Sequence, residues 1–183
     1  MFIYFLILPL MTLFLSFGLT KPSRFSLHEN LKTVPYVDLL RYSGNWYQIA
    51  GNPLPFDQNC VCTRQNLAPL SDGRVSVYNT CNFLKSDGRL LEIRGVATNL
   101  DPQSNAKLEV DFGLPDKGQY WIIALDNDYR YAVVSEPSKQ ALFILSKEPT
   151  LSPELYELAV RTAALQVDVS KLKIVSQSSC SYP

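Results

Sequence analysis

The chain has 183 residues, and its 17 lysine and arginine residues balance its 17 aspartate and glutamate residues. This balance, without long basic or acidic runs, excludes the electrostatic attraction on which nucleic-acid-binding proteins depend, so no nucleic acid is expected as a partner. Ten tyrosines, nine phenylalanines and twelve scattered prolines favour a β-rich domain with many turns over a helical bundle.

The amino-terminal twenty residues differ from the rest of the chain because none of them is charged. This apolar run, residues 1–20, ends in small residues, which is typical of a secretory signal peptide. It lacks the usual basic residues at its start and is nearly long enough to span a bilayer, so an uncleaved membrane anchor is the alternative. We expect an exported protein with a linker at residues 21–35 and a folded domain at residues 36–183. Any membrane association would run through the amino-terminal segment.

Four cysteines, Cys60, Cys62, Cys81 and Cys180, form an even set in a chain expected to be exported. Such cysteines are expected to pair as two disulfides. A zinc site is disfavoured because Cys-x-Cys is tighter than zinc-finger spacing and the single His28 lies in the predicted linker. A cysteine nucleophile lacks a partner histidine for the same reason. We therefore expect no metal site and no cofactor.

Extended runs joined by short turns fill the chain from Gly44 to Lys147, and there are eight of them. The clearest alternation places Leu108, Val110 and Phe112 on one face and charged side chains on the other. Eight consecutive antiparallel strands either stack as a sandwich or close into an up-and-down barrel wide enough for one small ligand. The runs are residues 44–50, 60–67, 74–82, 89–98, 107–112, 119–126, 129–135 and 141–147.

The period of the sequence changes after the eighth run. Ser152 is an N-cap candidate, Pro153 suits the first helical position, and Glu154 is an acid in the first turn. Apolar residues then recur at helical spacing, which predicts one amphipathic helix on the outside of the sheet. The predicted buried face consists of Leu155, Leu158, Ala159, Thr162 and Leu165. A short strand at residues 171–175 and a tail with Cys180 follow.

Three ordered motifs make the chain resemble the lipocalins, most of all the bacterial outer-membrane lipocalins and apolipoprotein D. These motifs are Gly44–Tyr47 on the first strand, Asp126–Val134 at a turn and strand, and Leu142–Pro149 on the last barrel strand. The similarity covers about Tyr36 to Val175. It implies an all-β fold, namely an eight-stranded antiparallel up-and-down barrel with one carboxyl-terminal α-helix packed outside and a short ninth strand.

The resemblance also implies roles for three residues at the base of the barrel, Gly44, Trp46 and Lys147. Lipocalins usually have an arginine packed over the first-strand tryptophan where this chain has Lys147. A lysine still places its cation above Trp46, but without the planar stacking and the forked donors of arginine.

Disulfide pairing is implied by the resemblance as well. Cys62 and Cys180 match positions that in apolipoprotein D connect the second strand to the carboxyl-terminal tail, which leaves Cys60 and Cys81 as the other pair. The sequence itself leaves the pairing open, because a β-bulge would let either Cys60 or Cys62 lie opposite Cys81.

The alternation and the resemblance together give a set of candidate ligand-binding residues. A wall of apolar and aromatic side chains with a few polar tips is the composition of a pocket for a hydrophobic small molecule. Each residue is otherwise an ordinary core residue. The resemblance implies fatty acids or lysophospholipids as ligands, a role in lipid transport, storage or membrane maintenance, and a periplasmic, outer-membrane-associated or secreted location. The candidates are Leu67, Val77, Asn79, Leu108, Val110, Phe112 and Phe143, with Tyr120 and Tyr131 as weaker ones.

An enzyme acting on a lipid or another hydrophobic substrate within the same barrel is the competing interpretation. No Gly-x-Ser-x-Gly motif occurs, and neither Ser135 nor Ser146 has a histidine near it in the sequence. We therefore predict a binding protein that is not an enzyme. A barrel with a filled interior is the third interpretation.

Overall fold

The computed structural model describes residues 31–55 and 57–183. The predicted signal peptide, residues 21–30 of the predicted linker and His28 therefore lie outside the described residues. The remaining linker residues contact the domain, because Leu31 is buried against its outer wall and the Val34 N–H donates to the Ile122 carbonyl over 2.9 Å. 

Nine strands and two helices make up the described chain. The helices are α1 (Leu39–Tyr42) and α2 (Pro153–Ala164). The strands are β1 (Gly44–Gly51), β2 (Cys60–Pro69), β3 (Val75–Phe83), β4 (Leu90–Asn99), β5 (Lys107–Asp111), β6 (Gly118–Leu125), β7 (Tyr131–Ser135), β8 (Leu142–Ser146) and β9 (Lys173–Ile174).

Each of the first seven strands pairs antiparallel with the next, and β1 closes the sheet by pairing with both β2 and β8. The predicted up-and-down barrel is confirmed, and the sandwich alternative is wrong. The short β9 pairs with the end of β1 on the outside of the barrel, opposite Ala50 and Gly51. In a closed barrel each strand is paired on both sides, except where it extends beyond the end of a shorter neighbour.

Alternation along the strands divides the buried side chains into an interior cluster and an outer cluster. The interior cluster includes Trp46, Leu67, Val110 and Val134, whereas the outer cluster lies between the barrel wall and α2. A β-bulge between Ile122 and Ala124 shifts the register of β6, which places Ile123 and Ala124 together in the outer cluster. Such a bulge inserts one extra residue and changes the face to which the following side chains point.

The segment before β1 closes one end of the barrel. The Val37 N–H donates to the Ser104 carbonyl over 2.7 Å, and the Asp38 N–H donates to the Tyr129 hydroxyl over 2.8 Å. Asp38 also caps α1, because its carboxylate accepts from the Leu40 N–H. This end contains the β2–β3, β4–β5 and β6–β7 loops, so the other loops surround the opposite, open end.

Helix α2 begins as the sequence predicts, with the Ser152 side chain accepting from the Leu155 N–H and Pro153 at the first position. Its buried face differs from the prediction. Ala159 and Ala163 are fully buried against the barrel, whereas Leu158 is 41% and Leu165 is 71% exposed. The two alanines let the helix lie close to the sheet. The helix is therefore rotated about its axis relative to the prediction, and the two leucines face solvent.

Both disulfides form as the resemblance implies, between Cys60 and Cys81 and between Cys62 and Cys180. Their Cα atoms are 5.5 and 5.6 Å apart, respectively. The second bond holds the carboxyl-terminal tail against β2. Within the described ranges, no helix has the length and apolar content needed to cross a membrane.

Candidate ligand site in the barrel interior

Eight of the nine candidate ligand-binding residues belong to the interior cluster or lie directly beside it. Leu67, Val77, Leu108 and Val110 are buried within it, and Phe112, Tyr120 and Phe143 are half-buried against it. Asn79 follows Val77 on the same face of β3. Binding by these residues stays a prediction, because their position establishes only that they face the interior.

Tyr131 is the exception, and the prediction of an interior position for it is wrong. Ala132 and Val134 of β7 point into the barrel, so Tyr131 and Val133 point outward and pack beneath α2. All five residues of β7 are buried, since one face meets the interior and the other meets the helix. Burial raises the pKa of the Tyr131 hydroxyl.

A row of four interior side chains crosses strands β1 to β4, from the fully buried Trp46 to the partly exposed Ile93. Trp46 pairs with Gln65, Gln65 with Asn79, and Asn79 with Ile93. The Asn79 Oδ1 atom is buried and accepts no hydrogen bond from any described residue. Because a buried polar atom without a partner costs about 1–3 kcal/mol, this oxygen favours a ligand that brings a hydrogen-bond donor.

Two tyrosine hydroxyls extend this row across the floor of the interior. The Tyr42 and Tyr120 hydroxyls lie 2.8 Å apart, and the Tyr120 hydroxyl donates to Gln65 Oε1 over 3.4 Å. Burial raises the pKa of both tyrosines, and for Tyr42 the nearby Tyr120 raises it further. Both hydroxyls therefore stay neutral near pH 7 and act as hydrogen-bonding groups without charge.

The polar side chains that face the interior in the row described above are neutral. They are the amides of Gln65 and Asn79 and the hydroxyls of Tyr42 and Tyr120. Ile93 is 37% exposed although it points inward, because β4 extends beyond the end of β5 at that level. An apolar chain placed inside would thus have water at its open end and neutral polar groups midway along the wall.

The base of the barrel is built around Trp46, which is fully buried. The Tyr42 ring packs 4.7 Å from the Trp46 ring, and the indole N–H donates to the Tyr42 carbonyl. The Lys147 ammonium group lies 4.3 Å from the centre of the Trp46 ring and donates to the Ser43 carbonyl. Burial lowers the pKa of Lys147 to about 8. Gly44 has a φ of 94°, a conformation that strains other residues, where the chain enters β1.

Gln65, Ile93 and Tyr42 were missed in the sequence analysis. Gln65 lies two residues before Leu67 and so on the same face of β2. The charged neighbours of Ile93 mark the outward face of β4, so Ile93 itself points inward. Period-two alternation is therefore sufficient to predict both positions. Tyr42 gave no such signal, since it lies in α1 and reaches the interior only through the fold of the closing segment.

Two depressions lie elsewhere, on the outer surface. One, of about 370 Å³, lies between α2 and the segment that follows it, and the other, of about 600 Å³, lies beside the carboxyl-terminal end of β5. Neither is lined by the candidate residues except for Phe112, which borders the second. In the described part of the chain no group of acidic, histidine or cysteine side chains has the arrangement of a metal site.

Comparison with known families decides what this barrel is, because residues 37–177 match the family described as Lipocalin-like domain. The chain belongs to the lipocalin family. Members of this family bind small hydrophobic ligands, and the predicted class of function is confirmed at that level. The resemblance seen in the three motifs is confirmed with it.

Individual relatives cover most of this lipocalin. Temperature-induced lipocalin-1 of Arabidopsis thaliana is 34% identical over 160 residues, which are 82% of this chain and 84% of that protein. The outer membrane lipoprotein Blc of Escherichia coli K12 is 33% identical over 150 residues, 81% of this chain and 84% of that protein. Among solved structures, insecticyanin of Manduca sexta superposes with a TM-score of 0.66 at 25% identity and covers 84% of this lipocalin and 89% of its own chain.

Proposed function

We propose that this lipocalin binds a fatty acid or a lysophospholipid in its barrel interior and carries it for lipid transport, storage or membrane maintenance. The observation that supports this most directly is the polar row within the apolar interior. Leu67, Val77, Leu108 and Val110 provide apolar walls, and Asn79 provides a buried acceptor that has no hydrogen-bond partner among the described residues. A ligand with a long apolar chain and a polar group suits both features.

The acyl chain supplies the favourable free energy. Each methylene group moved from water into an apolar interior contributes about 0.8 kcal/mol, before the loss of ligand freedom is subtracted. The half-buried rings of Phe112 and Phe143 border this interior and would cover the chain near the open end. Affinity is therefore expected to rise with chain length until the interior is filled.

We expect the ionic part of the ligand to lie at the open end, outside the interior. Burying an unpaired carboxylate or phosphate would be strongly unfavourable, and the polar groups of the interior row, Gln65, Asn79 and the two tyrosine hydroxyls, carry no charge to offset that cost. A neutral hydroxyl, in contrast, can enter and donate to Asn79 Oδ1. Lysophospholipids carry such a hydroxyl on their glycerol unit, whereas an ionised fatty acid carries no donor, so Asn79 favours the lysophospholipid.

An exported location suits the two disulfides, since disulfides persist in oxidising compartments. We propose a periplasmic, outer-membrane-associated or secreted protein, attached to a membrane through its amino-terminal segment where that segment is retained. Mass spectrometry of the mature amino terminus would show whether the segment is present.

The decisive experiment extracts lipid from protein purified without detergent and identifies it by mass spectrometry. Displacement of a fluorescent fatty acid by the identified lipid then gives the affinity. The variant Val110→Trp fills the interior and should abolish binding, while Asp111→Trp places the same ring on the exposed outer face and should not. Equal binding by both variants would refute an interior site.

The same sample separates a carrier from an enzyme. A carrier returns its ligand unchanged after prolonged incubation, so the mass of the added lysophospholipid should remain constant. Accumulation of free fatty acid or of another product, lost in Val110→Trp, would instead establish catalysis within the barrel.

A further inference from the structure

Strand β4 has a free edge near the open end of the barrel. It runs from Leu90 to Asn99, but β5 pairs only with its part from Val96 to Asn99. Residues Leu90–Gly95 pair with β3 on one side, and no strand in the described chain pairs with their other side. Half of their backbone N–H and C=O groups therefore point away from β3 without a strand partner.

The pairing of β5 with β4 stops next to Gly95, because its last pair joins Val96 and Asp111. A side chain at Gly95 would lie 2.6 Å from the Asp111 carbonyl oxygen and from the Phe112 ring, so only glycine lets the end of β5 approach here. After Phe112 the chain turns away toward β6. The depression of about 600 Å³ lies at this point, with Arg94, Val96 and Asp111 in its lining, and gives a neighbouring strand room beside the edge.

The free edge has two charged side chains, Glu92 and Arg94, but lacks the other features that usually protect such edges. It has no proline, no lysine and no bulge, and its regular ladder with β3 continues from Val75 to Asn82. Four large hydrophobic side chains are exposed in the same β3–β4 hairpin: Phe83, Leu84, Leu90 and Ile93. Exposed apolar side chains beside unpaired backbone groups are the features of a surface that adds a strand from another chain.

We propose that the free edge of β4 pairs antiparallel with the same edge of a second copy of this chain, forming a two-fold symmetric dimer. The charges on the outer face favour this occupant. Glu92 and Arg94 flank Ile93, and their side chains are 50% and 69% exposed. Pairing centred on Ile93 places Glu92 of each copy directly opposite Arg94 of the other, giving two favourable cross-strand pairs.

The two neighbouring registers are unfavourable. A two-fold axis normal to the sheet keeps the same face of both copies outward. One residue of the edge must then lie opposite the same residue of the other copy, and different registers differ in which residue this is. Centring on Glu92 would oppose two glutamates, and centring on Arg94 would oppose two arginines. The favoured centre, Ile93, also lies near the middle of the free stretch Leu90–Gly95.

A charge-reversal cycle tests the proposal by sedimentation velocity from micromolar to submillimolar concentration. Wild type should show a monomer–dimer equilibrium. Glu92→Arg and Arg94→Glu should each raise the dissociation constant about ten-fold, because both create like-charge pairs, and the double variant should restore it. Glu157→Arg on α2 makes the same change far from β4 and should have no effect.

Amide hydrogen exchange on the same protein locates the contact. Peptides covering residues 90–95 should gain protection at high concentration, while those covering β9 at the other edge of the sheet should not. A monomer at every concentration, a double variant no tighter than the single ones, or concentration-dependent protection elsewhere would each overturn the proposal.

Discussion

The Lys147 ammonium group lies 4.3 Å from the centre of the Trp46 ring and donates hydrogen bonds to the backbone carbonyls of Tyr42 and Ser43. The side chain of the residue that follows β8 therefore contacts both the first-strand tryptophan and the residues through which the chain enters β1. The geometry keeps the cation–ring contact that lipocalins usually make with arginine.

Removing this contact should destabilise the barrel. Lys147→Ala leaves the Ser43 carbonyl and the indole face without the cation, whereas the Tyr42 carbonyl still accepts from the Trp46 indole N–H, and we expect a loss of about 2 kcal/mol in the free energy of unfolding. Lys147→Arg should retain most of it. The measurement is denaturant unfolding followed by tryptophan fluorescence.

Lys107 provides a matched control, because its ammonium group lies 4.8 Å from the Trp121 ring on the outer wall. Lys107→Ala should cost less than about 1 kcal/mol, as expected for a cation–ring contact in water. Equal losses for the Lys147 and Lys107 variants would show that the base of the barrel has no special role for its lysine.

The lowered pKa of Lys147 makes the free energy of unfolding depend on pH. Burial brings the pKa to about 8, whereas the unfolded chain has the ordinary lysine value of about 10.4. Between these values the unfolded state binds more protons than the folded state, so the lysine contribution to the free energy of unfolding rises with pH. Below pH 8 both states are protonated and this contribution is constant.

Arginine does not titrate in this range, so comparison with Lys147→Arg isolates the effect from the tyrosines. The wild-type free energy of unfolding, minus that of Lys147→Arg, should increase between about pH 8 and pH 10. A constant difference would mean that Lys147 keeps its ordinary pKa in the folded protein.

Much of the barrel could be predicted because turns and alternation are local signals. Local signals do not give the exact start of a strand, as Tyr129 shows. The sequence predicts it in the seventh strand, but it has a φ of 61° and belongs to the preceding turn. The Asp126 carboxylate holds that turn by accepting from the Asp128 and Arg130 N–H groups and from the Arg130 side chain. Arg130 lowers the pKa of Asp126 through these contacts.

The candidate site was predictable where one face of a strand is polar. Glu109 and Asp111 marked the outer face of β5 and so identified Leu108 and Val110 as interior residues. In β7 both faces are apolar, so nothing in the sequence distinguished Tyr131 from its neighbours. The face of such a strand depends on where α2 packs, which is a property of the whole fold.

The two disulfides should differ in their contribution to stability. Cys62–Cys180 closes a separation of 118 residues and Cys60–Cys81 one of 21. By the loop-entropy relation, replacing both cysteines with serine should cost about 5 kcal/mol for the first pair and about 3 kcal/mol for the second. Denaturant unfolding of the two double variants checks the order, and a larger loss for the Cys60–Cys81 pair would contradict it.

Gln177 bridges β1 and β2 beyond the point where their pairing stops. Its Nε2 donates to the Gln48 carbonyl over 2.8 Å and to the Thr63 carbonyl over 3.0 Å, and its Oε1 accepts from the Tyr182 hydroxyl. Gln177→Met keeps the side-chain length but leaves these partners unpaired, so a loss of about 1–3 kcal/mol in the free energy of unfolding is expected.

Gln166 is the control for Gln177, because its side chain also bridges backbone groups, accepting from the Lys32 N–H and donating to the Lys32 carbonyl at an exposed site. Water can replace those bonds, so Gln166→Met should cost less than about 1 kcal/mol. Similar losses in both variants would show that the bridge between β1 and β2 is no more important than a surface contact.

Asn79 should affect stability and binding in opposite directions. Its Oδ1 is buried without a hydrogen-bond partner in the described chain, so Asn79→Leu removes an unsatisfied atom and should raise the free energy of unfolding by about 1 kcal/mol. The same change removes the acceptor for a ligand hydroxyl. Affinity for a lysophospholipid should fall about five-fold or more, while affinity for a saturated fatty acid should stay nearly unchanged.

Asn82 on the same strand distinguishes this trade-off from a general effect of Asn→Leu. Its Nδ2 donates to the Ser86 and Gly88 carbonyls, so Asn82→Leu breaks satisfied bonds in the β3–β4 turn and should lower stability without changing affinity for either lipid. Thermal unfolding and fluorescent-probe displacement on both variants give the two readouts. If Asn79→Leu destabilises the protein or weakens both lipids equally, Asn79 is a structural residue and not the ligand's acceptor.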